Sequence, residues 1–592
     1  MLLATGVGAQ DPPVAVALVR YEISLAEASQ HLVIVKVHLP PGAPECELQL
    51  PVWNALYQIR DFAQYVNWVR ARNSREQPLA VSKLDKSRWH VNGAAQGAEI
   101  EYEIFADRSG PFGAQLNAHH AFFNLAEILM YPVGARAYPM QVRFTDIPAG
   151  WRIATAMAGS AEEVSSENYD RLVDSPVEIG AFQESDFDEG GGHYRVVVDA
   201  DPADYDMPKI VSTLRSLVSA ATLWMKDRPF QNYLFLYHFP RGPAGGGMEH
   251  AYSTAIDISA GRLAENPRSL DDLTAHEFFH LWNVKRIRPQ SLEPIDYTKE
   301  NYTTALWFSE GVTTTAGNII QLRAGLLDEA RSLKGLASEI GELERRPAHL
   351  GQSAEESSLD AWLEKYDYYR LPERSISYYN KGYLLGVLLD LQVRDASRDS
   401  ASLRDVFLWM NQNYARKGNF FPDSKGVRQA AELIGHTDLG WFFEKYVAGT
   451  EEIPWDNFFM SVGLHLVRQV VSGAEPGFVA VHNFDALPAV VAVTAGSEAE
   501  HTGLVVGDVI LEIDDQMAGS DFEQRMARLR PGDTIHLRVR TSGVERDLHW
   551  KLGRREEVGF ELKDVDNITQ QQKARRSAWL KGESGVSGET RP

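Results

Sequence analysis

The chain has 592 residues and a net charge of −22, from 59 basic and 81 acidic residues. With no basic excess to displace phosphate counterions, a nucleic-acid partner is excluded. A single cysteine, Cys46, excludes an intramolecular disulfide and any multi-thiolate metal site. At roughly 150 residues per domain the length implies three to four domains, and no run of about 18 apolar residues marks a membrane span.

Residues 1–13 read as an N-terminal tail or the remnant of a signal peptide. MLLATGVGAQ is mildly apolar and ends in small residues, yet lacks a positive n-region. A cleaved signal would put the protein in the periplasm or outside the cell; otherwise it is expected in the cytoplasm. Residues 14–204 read as a β-rich domain. Glu99-Ile-Glu-Tyr-Glu-Ile-Phe105 alternates with period two, as a half-buried strand should, and 31–39 and 194–198 are further β-branched runs. Pro-Pro-Gly-Ala-Pro at 40–44 and the glycines at 190–192 punctuate the region.

From 205 to 460 the pattern turns mainly helical, after a strand at 232–239, a glycine-rich turn and an extended run at 248–258. Ser269 with Asp272 is expected to open a helix as a capping box, and Pro289 to stop it. A second helix is expected over 305–325 and a third, strongly apolar, over 383–393. Residues 461–560 return to β character, with strands at 489–493 and within 503–514, a short helix at 521–529, and two strands after Pro531-Gly-Asp533. Residues 561–592 are polar and end Gly/Ser-rich, and are expected to be disordered.

The chemistry concentrates in His276-Glu277-Phe278-Phe279-His280 and in Glu310, thirty positions on in Trp307-Phe-Ser-Glu-Gly311. Residues four apart share one helix face, so His276 and His280 can hold one metal ion. Glu310 supplies a third ligand, and two His plus one Glu with an open fourth position make a catalytic zinc set rather than a structural one. Such an ion polarises the scissile carbonyl and acidifies its water, and Glu277 takes the proton and passes it to the leaving amine. Thr314, one turn past Glu310, stands where a supporting partner of the site would. His119, His120 and His238 read as structural. Lys285, Arg286 and Arg288 read as helix-end and interdomain pairing rather than as a clamp for a substrate carboxylate.

These pieces resemble the M61 glycyl aminopeptidases of the gluzincin clan. The matching segments are His276-Glu-Phe-Phe-His-Leu-Trp-Asn-Val-Lys-Arg-Ile-Arg-Pro289, Gly246-Gly-Met-Glu-His250 and Tyr378-Tyr-Asn-Lys-Gly382. The resemblance implies a multidomain α+β fold: a β-rich N-terminal domain, a thermolysin-like, mainly helical catalytic domain and a C-terminal module. It also implies one zinc ion and peptide substrates with a free N-terminus, the terminal residue being small, Gly or Ala. Gly246-Gly-Met-Glu-His250 is similar to an element of the related M1 aminopeptidases whose strand runs beside the substrate. Carried over, Gly246, Gly247 and Met248 line the substrate backbone and Glu249 anchors its amine, with His250 where those enzymes have Asn. Tyr379-Asn-Lys-Gly382 is similar to their Tyr-x-Lys-Gly element, which makes Tyr379, rather than its neighbour Tyr378, the donor to the tetrahedral oxyanion.

Ala495-Gly-Ser-Glu-Ala-Glu-His-Thr-Gly-Leu-Val-Val-Gly-Asp-Val-Ile-Leu-Glu-Ile-Asp514 looks like the core of a PDZ domain, with Gly477 to Val481 as its candidate ligand-binding segment. Such a module docks a peptide as an added strand or buttresses the catalytic domain. Two rival functions stand beside the aminopeptidase: an endopeptidase with the same metal site, and a PDZ peptide-binding scaffold with a vestigial one.

Overall fold

A computed structural model of the protein describes residues 17–160, 162–242, 244–364, 371–481, 487–519 and 522–584. The N-terminal tail, the extreme C-terminus and Asp521 lie outside these residues. No described helix is long and apolar enough to cross a membrane.

The N-terminal region is β-rich, as expected. Eleven strands form one long sheet, and a second sheet of four strands includes His120–Phe123 and Val177–Gly180. Ala98–Phe105 alternates buried and partly exposed residues along its length, so its apolar face meets a core containing Val35, Ile100 and Tyr102.

The expected domain boundary at 204 moves back to about residue 181. Strands β1 (Gln183–Glu189) and β2 (Gly192–Asp199) belong to the catalytic sheet, together with β3 (Asn232–His238), β4 (Gly245–Glu249) and β5 (Ser253–Ile258). The order is β1-β2-β3-β5-β4, with β2, β3 and β5 mutually parallel and β4 antiparallel at the edge. A parallel pair needs a crossover, and helix α1 (Met207–Met225) supplies it between β2 and β3. Composition misplaced this boundary because β-character alone cannot say which sheet a strand joins.

Helix α2 (Arg268–Phe279) crosses this sheet's face, and α3 (Thr313–Ala324) and α4 (Tyr378–Ala396) pack beyond it. Ser269 does not cap α2. It lies inside the first turn and donates to the Asn266 carbonyl at 2.7 Å. The helix also ends ten residues before Pro289: after Phe279 the chain leaves the helical path, and residues 281–287 fold back in tight turns.

Strands Leu464–Glu475 and Gly553–Asp564 pair over their full lengths as a two-stranded ribbon, and Leu464, Leu466 and Leu562 are buried in the catalytic core. Between the ribbon's two strands sits a small β module with its own core, including Ile510, Ile535, Leu537 and Trp550. Its helix runs Phe522–Arg528. The expected disordered tail is folded as far as residue 584. Thr569 and Gln572 form a capping box for helix Gln570–Leu580, which buries Trp579 and Leu580. Arg576 pairs with Asp564 at 2.8 Å, and the Trp224 indole donates to the Gly582 carbonyl at 2.9 Å. The tail's polar composition hid this, because Glu329, Asp395 and Asp399, which also pair with its arginines, lie far away in sequence.

Candidate active site

Helix α2 presents His276 and Glu277 in its last turn, and His280 caps its C-terminus. Glu310 sits in a π-helical turn, Trp307–Val312, that leads into α3. Such turns shift a side chain off the α-helical register and recur at functional sites. The two imidazole Nε2 atoms are 2.9 Å apart, and Glu310 Oε2 lies 3.5 Å from the first and 3.2 Å from the second. Around a tetrahedral zinc ion, ligand atoms stand about 3.4 Å apart, so this triad fits one such ion.

The outer ring nitrogens fix the tautomers. His280 Nδ1 donates to the Asn283 carbonyl at 2.6 Å, and His276 Nδ1 lies 3.2 Å from the Thr314 hydroxyl, which itself donates to the Glu310 carbonyl at 3.3 Å. With both Nδ1 atoms donating, both Nε2 lone pairs face one point, which is the arrangement a cation requires. Asn283 also donates to the Phe308 carbonyl at 2.9 Å and to the Thr313 hydroxyl at 3.0 Å, tying the end of α2 to the turn that carries Glu310.

Glu277 is buried, and its Oε2 has no hydrogen-bond partner. Gly247 makes room for it: a Cβ there would come within 2.5 Å of Glu277 Cγ. Burial pushes the Glu277 carboxyl well above the usual range; His280 opposes this, and the Glu249 and Glu310 carboxylates add to it. Burial works against charge on His280 as well, but Glu310 beside it pushes the imidazole up to about 10. Glu310, despite its burial, is held well below the carboxylate range, chiefly by His280.

Edge strand β4 ends in Glu249, whose carboxylate lies within 4.8 Å of ligand atoms of Glu277 and His280. Gly247, Met248 and Glu249 line the cleft above the triad; Gly246 does not, because its backbone (φ +117°) turns against the Phe112 ring, 3.1 Å from where a Cβ would stand. Buried His250 sits behind the strand, 3.4 Å from Asp174.

Helix α4 opens with Ser377 as N-cap. Tyr379 in its first turn lines the cleft, its ring 6.2 Å from that of His276, whereas Tyr378 is buried. The Gly382 of the motif serves packing. A Cβ on it would meet the Trp307 carbonyl oxygen at 2.2 Å, and one on Gly311 would meet Gly382 Cα at 2.4 Å. The two backbones therefore cross in contact, which brings Tyr379 to the side of Glu310.

The cleft holds about 380 Å³, and one wall is the N-terminal domain: Trp53, Asn54 and Tyr57 from a loop, and Arg171 and Asp174. Burial, then Glu310 and Glu249, push the Tyr57 phenol well above its usual value. Asp174 pairs with Lys285 at 2.6 Å and Arg288 with Glu293 at 2.5 Å, while Arg286 donates to the Leu281 carbonyl at 2.6 Å, so two of these cations pair and Lys285 does so across the domains.

Two family models match the chain: the peptidase M61 N-terminal domain over residues 20–181 and the M61 glycyl aminopeptidase over residues 269–385. The chain thus carries both of the M61 peptidase domains that these models describe. It is similar along almost its whole length to a solved aminopeptidase N family protein of Idiomarina loihiensis, at 25% identity, 95% coverage of this chain, 100% of the other, and a TM-score of 0.79. A mutant M1 zinc metallopeptidase of Deinococcus radiodurans, bound to a Tyr-Ser-Ala substrate, matches at 14% identity over 74% of this chain and 95% of the other, with a TM-score of 0.46. No curated protein matches the chain.

The peptidase thus brings together every residue that the motifs proposed except Gly246. The sequence reading missed the N-terminal wall. Trp53 and Tyr57 lie in a loop without periodicity, and their only signal was aromatic density; Arg171 and Asp174 gave none.

Proposed function

We propose that this metallopeptidase is a single-zinc aminopeptidase that removes small N-terminal residues. The observation that carries this reading is the Glu249 carboxylate beside the triad at the end of edge strand β4. A substrate extended along that edge meets the carboxylate with its ammonium, a charge-assisted hydrogen bond worth roughly 1.5–3 kcal/mol. His276, His280 and Glu310 would hold the zinc ion, which when bound would supply a Lewis acid for the scissile carbonyl and an acidified water. Glu277, its carboxyl buried and without a partner, takes the water's proton and returns it to the leaving amine. Tyr379 donates its hydroxyl proton in a hydrogen bond to the developing oxyanion. Trp53, Tyr57 and Met248 line the cleft, and the preference for Gly or Ala rests on the likeness to glycyl aminopeptidases.

The test is hydrolysis of Gly- and Ala-p-nitroanilide beside their N-acetylated forms, with zinc-loaded wild type and Glu277→Gln. Cleavage of the free-amine substrates only, lost in the variant by roughly 10²–10⁴-fold, is expected. Equal cleavage of the blocked forms would make the enzyme an endopeptidase and remove Glu249 as anchor. Failure on every substrate, without zinc uptake, would leave the scaffold reading.

For the C-terminal module, the reading as a PDZ-like peptide-binding domain is supported by strand Phe478–Val481. It lies at a sheet edge with Val479 exposed, where an extended peptide would add as a further strand.

A further inference from the structure

Where the N-terminal domain meets the catalytic sheet, a second set of metal-ligating side chains converges. His120 and Glu178 come from adjacent antiparallel strands of the four-stranded sheet, with Glu178 opposite Phe122 and His120 opposite Gly180. Asp199 and His238 end β2 and β3 and face each other in register, with Asp257 of β5 beside His238. Glu178, His238 and Asp257 are buried.

Glu178 bridges the two imidazoles: Oε2 lies 3.0 Å from His238 Nε2 and Oε1 3.2 Å from His120 Nδ1. Asp199 Oδ2 stands 3.1 Å from the same His120 nitrogen. The ligand atoms of His120, Glu178 and His238 all lie within 4.8 Å of one another. The far side of each ring is also partnered. His238 Nδ1 is 2.8 Å from Asp257 Oδ1, and His120 Nε2 is 3.2 Å from Gln115 Oε1. Each of these oxygens can only accept, so each outer nitrogen carries a proton, and the inner nitrogen of each ring faces the Glu178 carboxylate. At 3.0 and 3.2 Å from carboxylate oxygens, each inner nitrogen holds either a second proton or a cation shared with Glu178. Three carboxylates gather here, and among the described residues no lysine or arginine forms an ion pair with any of them.

We propose that this junction binds a second divalent cation, of the zinc class, held by His120 Nδ1, His238 Nε2 and Glu178, with Asp199 beside His120. Two imidazoles and a carboxylate suit zinc, and burial of Glu178 and His238 leaves no room for substrate, which makes the site structural. Asp257 and Gln115 orient the two rings from behind, as carboxylate and amide partners of metal-bound histidines do. His120 and Glu178 come from the N-terminal domain and His238 from the catalytic sheet, so the ion pins the N-terminal wall of the cleft to that sheet. Asp199, whose side chain is 28% exposed, gives the route of entry.

The rival occupant is a second proton on each imidazole, and metal counting separates the two. The full-length His276→Gln/His280→Gln protein lacks the cleft site and keeps the junction intact. After zinc loading and dialysis it is expected to retain one equivalent by mass spectrometry of the metal, against two in wild type, and to lose it when His120→Gln is added. No retained zinc in the double variant, or zinc that survives His120→Gln, overturns the proposal. Should the variants fail to fold, diffraction from zinc-loaded wild-type crystals above and below the zinc edge gives the same answer. A second anomalous peak between His120 and His238 is expected, and a single peak at the cleft overturns the site.

Discussion

The cleft and the interdomain junction carry nearly the same chemistry, yet differ in what they can do with it. Each brings two imidazoles onto a carboxylate, with the outer ring nitrogens engaged by a backbone carbonyl, hydroxyl, amide or carboxylate. At the junction Asp199 closes in on His120 at 3.1 Å. In the cleft the fourth direction opens onto about 380 Å³ lined by Glu277, Glu249 and Tyr379. The ligand set therefore does not separate an active centre from a structural one. The neighbouring groups do: a buried carboxyl without a partner, a tyrosine and room for substrate.

That contrast is broken most severely at Tyr379, which has no counterpart at the junction. Tyr379→Phe is expected to lower kcat by roughly 10²–10³-fold with KM and zinc content little changed, measured on Ala-p-nitroanilide. A loss of zinc instead would make the tyrosine part of the metal's frame.

A buried carboxyl behind the cleft wall, beside Asn54, shows what burial does. Burial pushes Glu127 up to about 7 against the pull of Arg60, 3.4 Å away. A pKa raised by folding gives stability that is complete below the unfolded value and lost as pH rises through the folded one. Wild type is therefore expected to lose about 3 kcal/mol between pH 4.5 and pH 7 through this group. Glu127→Gln removes that slope in chemical denaturation at the two pH values, and an unchanged slope would assign it elsewhere.

Glu249→Ala tests the feature that turns a metal cleft into an aminopeptidase. Cleavage of free-amine substrates is expected to fall roughly 10- to 150-fold, through KM and kcat together, towards the residual rate on N-acetylated substrates, which stays as it was. Equal loss on both would assign Glu249 to the metal or to Glu277.

Thr314→Val probes the outer support of the cleft triad and touches nothing at the junction. Zinc affinity is expected to weaken roughly 10- to 100-fold in competition with a chelator, with kcat of the loaded enzyme retained. An unchanged affinity would show that His276 is oriented by packing alone.

What the sequence by itself determined is whatever depends on a few consecutive residues. Four-residue spacing puts His276 and His280 on one helix face whatever surrounds them, and alternation at 99–105 makes a strand. The motifs likewise named Glu310, Glu249 and Tyr379, because each sits at a set distance from a local signature. Only the tertiary structure decided where separate segments meet. It turned the helix at Glu310 into a π turn, crossed the chain at Gly311 and Gly382, and put Trp53 and Tyr57 over the cleft. It moved 183–199 into the catalytic sheet and docked the polar tail through Trp579 and Arg576. It also gathered His120, Glu178 and His238 from strands about sixty residues apart, none of which carries a motif. Local periodicity records which face of an element is apolar. It holds no record of which distant face that element will bury against, and long-range pairing is settled only when the whole chain packs.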